Sequence, residues 1–167
     1  MGKTTGYTIN HNALQRGIYV VRKNRVGESV ITTFDIRMKL PNREPAMSQP
    51  ALHTIEHLAN AYLRSHAEWG ERIIYWGPMG CCTGNHLLIA GDLESADIAE
   101  LMRETFGYIA EYEGDIPCAT ANDCGNYMLH NLPMAKWESR KFLMEVLNSL
   151  TEENTHYPLT EVEEETL

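Results

Sequence analysis

One short run in this sequence combines residue type and spacing in a way that suggests chemistry: His53-Thr54-Ile55-Glu56-His57. On a helix each residue turns about 100°, so His53, Glu56 and His57 share one face. Two imidazoles one turn apart make half a site for a divalent metal such as zinc or iron(II). A carboxylate beside them can move protons at a metal-bound oxygen. The order H-x-x-E-H inverts the H-E-x-x-H zinc signature. Taken alone, the run equally fits two surface imidazoles on an ordinary helix.

A catalytic metal site needs three protein ligands and an open position. The candidates for the third are Cys81, Cys82, Cys118, Cys124, His11, His86 and His130. Cys124 suits the role best: it stands in a loop directly before Gly125, where backbone can approach a metal closely. Cys81 leaves a strand into the turn Gly77-Pro78-Met79-Gly80-Cys81-Cys82-Thr83-Gly84, which can expose its sulfur. A thiolate there needs positive surroundings, which Arg37 or a nearby metal can supply. The competing reading of Cys81 is a small buried hydrophobe, and Cys82 and Cys118 read as packing residues. Arg37 offers the bidentate fork that a substrate carboxylate wants, although by itself it reads as a surface charge on a strand's polar face.

These residues need elements to hold them. Ile18 to Arg22 and Val30 to about Met38 read as an antiparallel hairpin across a turn at Asn24 to Glu28. Phe34, Ile36 and Met38 point to the core, and Asp35 and Arg37 the other way. A helix starts at Gln49-Pro50 and runs to about His66 or Glu68, its buried stripe being Leu52, Ile55, Ala59, Tyr62 and His66. On that wheel Glu56 lies some 40° from Leu52, with His53 and His57 at about 100° and 140°. The metal face therefore borders the core face. Strands are expected over residues 73–76 and 86–90, and helices over about 95–112, capped by Ser95 or Asp92, and 133–150. The fold class is α+β: an antiparallel sheet with about three helices packed mainly on one face.

At 167 residues the chain reads as one domain over residues 1–150, followed by an acidic tail over 151–167. The tail holds six glutamates and no Lys or Arg, the composition of a solvated, partly mobile terminus. A net charge of −9 argues against nucleic acid as a partner. No apolar run is long enough to span a membrane, and the N-terminal residues lack a secretory hydrophobic region. Four cysteines in a chain of this length do not make a disulfide framework, so the reducing cytoplasm is the expected location.

Taken together, the chain resembles the S-ribosylhomocysteine lyase family, whose members make the autoinducer-2 precursor. The resemblance rests on Ile9-Asn10-His11-Asn12, Phe34-Asp35-Ile36-Arg37, His53 to Leu58, Pro78 to Gly84, and Asp123-Cys124-Gly125-Asn126-Tyr127. It implies one divalent metal, iron(II) natively and replaceable by zinc or cobalt, held by His53, His57 and Cys124. It implies a homodimer with active sites at the subunit interface, Cys81 and Glu56 as catalytic residues, and Arg37 and His11 in the substrate pocket. It also implies a reaction: the carbonyl of S-ribosylhomocysteine migrates through enediolates, and β-elimination then yields homocysteine and 4,5-dihydroxy-2,3-pentanedione. The chain departs from the common family pattern at Gly6, at Tyr75-Trp76-Gly77, and at Cys82, where many members have Arg. Two other readings compete: a structural zinc module in which Cys81 closes a four-ligand site, and an inverted-motif metallopeptidase.

Overall fold

The computed structural model of the chain describes residues 4–164. In order the elements are β1 (Thr4–Ile9), β2 (Gly17–Val26), β3 (Ser29–Arg37), α1 (Gln49–Ser65), β4 (Ile73–Pro78), β5 (Gly84–Ala90), α2 (Ala99–Glu111), α3 (Leu132–Glu145) and β6 (Leu159–Glu164). The fold is α+β, with three α-helices among the described residues. Its strands form two antiparallel sheets where one was expected: a four-stranded sheet in the order β2-β3-β5-β4 and a two-stranded sheet of β1 with β6.

The β2–β3 hairpin turns at Gly27-Glu28, with Val26 opposite Ser29. Gly27 has φ +61°, a conformation glycine adopts without a Cβ clash. The turn is tighter than the sequence suggests, because residues 24–26 continue the strand. Phe34 and Ile36 point into the core as expected, alongside Leu87 and Ile89 of β5 and the apolar residues of all three helices. Asp35 and Arg37 occupy the opposite face, yet they are only 1% and 6% exposed. Arg37 is therefore a buried ion-paired residue and not the surface charge its strand position suggests.

Helix α1 begins where Ser48 accepts a hydrogen bond from the Ala51 N–H, with Pro50 in the first turn. Its buried stripe is Leu52, Ile55, Leu58, Ala59 and Leu63. Tyr62 and His66 drift off it; the His66 ring instead lies 3.0 Å from Glu104 of α2. A 3₁₀ turn over Ser95–Ile98 precedes α2, and the cap residue is Glu94, whose N–H donates to Asp97 Oδ2 (2.7 Å). Helix α3 stops at Glu145, short of the expected Leu150, because Val146 and Leu147 turn into the core.

The acidic C-terminal residues are not simply solvated. After a 3₁₀ turn at Glu152–Asn154, β6 pairs with β1 from Leu159↔Ile9 to Glu164↔Thr4. Charge count alone hides Tyr157 and Pro158, which are half-buried; Tyr157 stacks on Tyr19. The departure at Gly6 lies in β1, opposite Val162.

The most constrained connection is the β4–β5 turn. Met79 N–H donates to Gly84 O and Cys82 N–H to Met79 O, each at 2.9 Å. Gly84 faces Arg37 of β3, and a Cβ on it would stand 2.2 Å from the Ile36 carbonyl oxygen. The nearest atoms are all β3 backbone, which cannot swing aside as a flexible side chain would. Gly84→Ala is expected to destabilise the fold by about 2 kcal/mol or more, read as a lower urea midpoint with an unchanged slope.

Candidate metal centre and adjoining thiol pocket

Helix α1 presents His53 and His57 to two carbonyls from distant segments. His53 Nδ1 lies 2.8 Å from Leu129 O, and His57 Nδ1 lies 2.7 Å from Pro117 O. A carbonyl can only accept, so each Nδ1 carries the ring proton and each Nε2 keeps its lone pair. Those two Nε2 atoms sit 3.1 Å apart. Cys124 Sγ is 3.4 Å from His53 Nε2, held there by a turn in which Cys124 N–H donates to Thr120 O (3.0 Å). The expected ligand set thus comes together.

A third imidazole joins it as a fourth donor. His130, one of the candidate ligands in the sequence, stacks on His53 with centroids 4.2 Å apart. Thr54 fixes its orientation. The Thr54 hydroxyl donates to Pro50 O (2.8 Å), leaving its lone pairs for Asn131 N–H (3.0 Å) and His130 Nδ1 (3.1 Å). The lone pair of His130 Nε2 is then buried with no partner. Burial, reinforced by His53 and His57, pushes the His130 pKa down to about 4, so the ring is neutral near neutral pH. The four donor atoms of His53, His57, Cys124 and His130 lie within 4.8 Å of one another. Lone pairs facing each other at such distances repel unless a cation lies among them. Imidazole and thiolate donors also suit zinc or iron(II). The residues fit a divalent metal.

Glu56, between the two histidines in sequence, borders a hollow of about 240 Å³ together with His53, Met79, Gly80, Cys82 and Leu129. The other proposed site residues lie elsewhere. His11, Arg37 and Cys81 line a second hollow of about 510 Å³, with Thr83, Glu44 and His86. Pro78, Met79 and Gly80 line both hollows, so the β4–β5 turn is the wall between them.

The register that sets Arg37 against Gly84 brings its guanidinium to the end of this turn. Arg37 Nη2 and Nε donate to Asp35 Oδ2 (2.6 and 3.2 Å), while Nη1 donates to Thr83 Oγ1 (2.6 Å) and lies 3.8 Å from Cys81 Sγ. Thr83 accepts from Arg37, so its own proton is free for Cys81 Sγ at 3.0 Å. Partial burial pushes the Cys81 thiol up. The hydrogen bonds of Thr83 and the Arg37 charge outweigh that, and the thiol sits below its ordinary pKa. Cys81 is exposed and Cys82 half-buried, with Cys82 taking φ +58° in the turn. Asp35 and Thr83 escaped the sequence reading, since neither type at its position signals chemistry before the register is known.

The fold and site define a class: a small α+β protein with a half-buried His/Cys donor set suited to a divalent metal and, across the β4–β5 turn, an activated thiol. Residues 4–153 match the S-Ribosylhomocysteinase (LuxS) family. The chain is 63% identical over 155 residues to the S-ribosylhomocysteine lyase of Phocaeicola vulgatus, covering 93% of this chain and 96% of that protein. It is 56% identical to the one from Porphyromonas gingivalis and 50% identical to that of Clostridium beijerinckii, covering in each case 95% of this chain and 99% of the relative. The chain belongs to the S-ribosylhomocysteinase family.

Proposed function

We propose that the chain is a metal-dependent carbon–sulfur lyase that converts S-ribosylhomocysteine into homocysteine and 4,5-dihydroxy-2,3-pentanedione. The observation that carries this reading is the survival of both halves of the chemistry in a chain of this family: a converging His53, His57, Cys124 donor set, and a Cys81 thiol lowered by Arg37 and Thr83. His53, His57 and Cys124 would hold the metal, iron(II) in the native enzyme with zinc or cobalt as substitutes. When bound, it supplies a Lewis acid for the oxygens of the substrate carbonyl.

The thioether at C5 cannot leave until a ketone at C3 makes the C4 proton acidic. Cys81 as thiolate takes the proton from C2 and returns it to C1, while Glu56 carries the hydroxyl proton between the two oxygens; the aldehyde becomes a C2 ketone. The same exchange between C3 and C2 moves the ketone to C3. Removal of the C4 proton then breaks the C5–S bond, the electron pair leaves with sulfur, and protonation gives homocysteine. The remaining enol tautomerises to the dione. Arg37 maintains the thiolate, and Arg37 and His11 line the pocket for the amino acid end of the substrate.

The same reading assigns a homodimer with its active sites at the subunit interface. The separation of Cys81, Arg37 and His11 from Glu56 and the metal donors by the β4–β5 turn supports it, since a second chain can bring complementary halves together. Among the described residues no helix is long and apolar enough to cross a membrane. The four free cysteines suit the reducing cytoplasm.

Purified protein loaded with iron(II) or cobalt(II) is expected to release a free thiol from S-ribosylhomocysteine, measured by thiol titration. Peptide cleavage without thiol release would instead favour the metallopeptidase reading.

A further inference from the structure

The sheet face turned away from the helices carries a polar network whose last member comes from the C-terminal segment. Tyr19 of β2, opposite Asp35, is fully buried. Its ring stacks on Tyr157 with centroids 4.7 Å apart and planes 10° from parallel. The Tyr157 hydroxyl donates to Asp35 Oδ2 at 2.8 Å, the same oxygen that receives Arg37 Nη2 and Nε. Asp35 Oδ1 is buried with no partner. Among the described residues this carboxylate's hydrogen-bond partners are thus Arg37 and Tyr157 alone.

We propose that Tyr157 is a positioning residue for the Cys81 thiolate, acting through Asp35 and Arg37. By donating to Oδ2 the phenol takes up part of the carboxylate charge and sets where the guanidinium fork rests. Nη1 is left to serve Thr83 and face Cys81. Without that hydroxyl the buried carboxylate is compensated by Arg37 alone; the guanidinium is drawn toward it, and Cys81 loses part of its positive neighbour. Burial and the adjacent Asp35 charge push the Tyr157 phenol well above its ordinary pKa, so it remains a donor at any working pH. Tyr157 lies beyond the residues matched to the family, 4–153. The other groups facing Cys81 are Thr83 from its own turn, His11 after β1, Glu44 from the segment before α1, and His86 of β5. None of them contacts Tyr157 by hydrogen bond or ring stacking among the described residues.

The inference rests on the proposed function only in giving Cys81 a catalytic task; its test does not. In the full-length protein, Tyr157→Phe keeps the stack on Tyr19 and removes the hydroxyl. Iodoacetamide alkylation of Cys81, followed by peptide mass spectrometry across pH, reads the thiolate fraction directly. The Tyr157→Phe profile is expected to move to higher pH. On the acid limb of the profile the alkylation rate should fall about threefold, about half a pKa unit, with the high-pH plateau unchanged. Asp35→Asn, which leaves the Arg37 charge uncompensated, should move the profile to lower pH. Opposite shifts support the relay; shifts in the same direction, or an unmoved Tyr157→Phe profile, overturn it. With substrate, Tyr157→Phe should lower kcat about threefold on the acid limb of its pH profile, recover at higher pH and leave KM alone. If wild-type protein releases no homocysteine while the opposite alkylation shifts appear, the relay stands and the lyase reading falls.

Discussion

Cys81→Ala is expected to abolish homocysteine release, lowering turnover by roughly 10²–10⁴-fold, the range spanned by positioned acid–base groups. The loss should be at the upper end, because one thiolate is asked to serve each carbon proton transfer in turn. The pH dependence has a definite sign. The thiol is held below its ordinary pKa by Thr83 and Arg37 against the opposing effect of burial. The thiolate is therefore the resident form at lower pH than for a free cysteine, and activity falls as pH drops through that lowered value. Arg37→Gln should move the acid limb of the wild-type rate profile to higher pH, whereas Cys81→Ala leaves no profile to shift. The variant should also keep its metal, which separates this reading from a structural module: in a four-ligand site closed by Cys81, the alanine protein would lose affinity for the ion. Rates by thiol titration and metal content by elemental analysis, on the same sample, decide both points. Full turnover in Cys81→Ala would remove the thiolate from the mechanism.

Removing a proposed ligand should have the opposite signature. Cys124→Ala or His57→Ala is expected to weaken metal binding by more than about 100-fold, since disturbing only the outer hydrogen-bonded partners of metal ligands costs 10–100-fold. Activity should disappear with the metal. Cobalt-loaded wild-type protein should show a thiolate-to-cobalt charge-transfer absorption that Cys124→Ala lacks and Cys81→Ala retains. Such a band surviving in Cys124→Ala and vanishing in Cys81→Ala would reverse the assignment of the two sulfurs. The apo protein should still fold, because Leu52, Ile55 and Leu58 bury the other face of α1 independently of the ion.

How much of this was legible in the sequence follows from the range of each interaction. The placing of His53, Glu56 and His57 on one helix follows from local periodicity and a Ser48 cap, and both are set by neighbouring residues. The antiparallel hairpins follow likewise from alternation and glycine turns. For the third ligand the residues themselves left seven candidates, among which the loop position before Gly125 favoured Cys124; the family resemblance then singled it out. The carbonyls of Leu129 and Pro117, which fix each imidazole's tautomer, were invisible, because backbone acceptors leave no mark in residue type.

Other features were decided by tertiary structure alone. Local alternation placed Arg37 on the polar face of β3, and that much holds. Whether the face meets water depends on what covers it, and here Tyr19 and the returning Tyr157 do so. An acidic tail reads as solvated when its charges are summed, yet Tyr157 packs against the sheet on Tyr19 and the residues after it pair as β6 with β1. The Cys81 environment arises from register: Arg37 faces Gly84, so its guanidinium reaches Thr83 and the sulfur. By itself, then, the sequence determined which chemical groups are present and which of them share a local face, because periodicity and turn chemistry act over a few residues. Only the tertiary structure decided which groups are buried, paired and charged, because desolvation and long-range register depend on segments far apart in the chain.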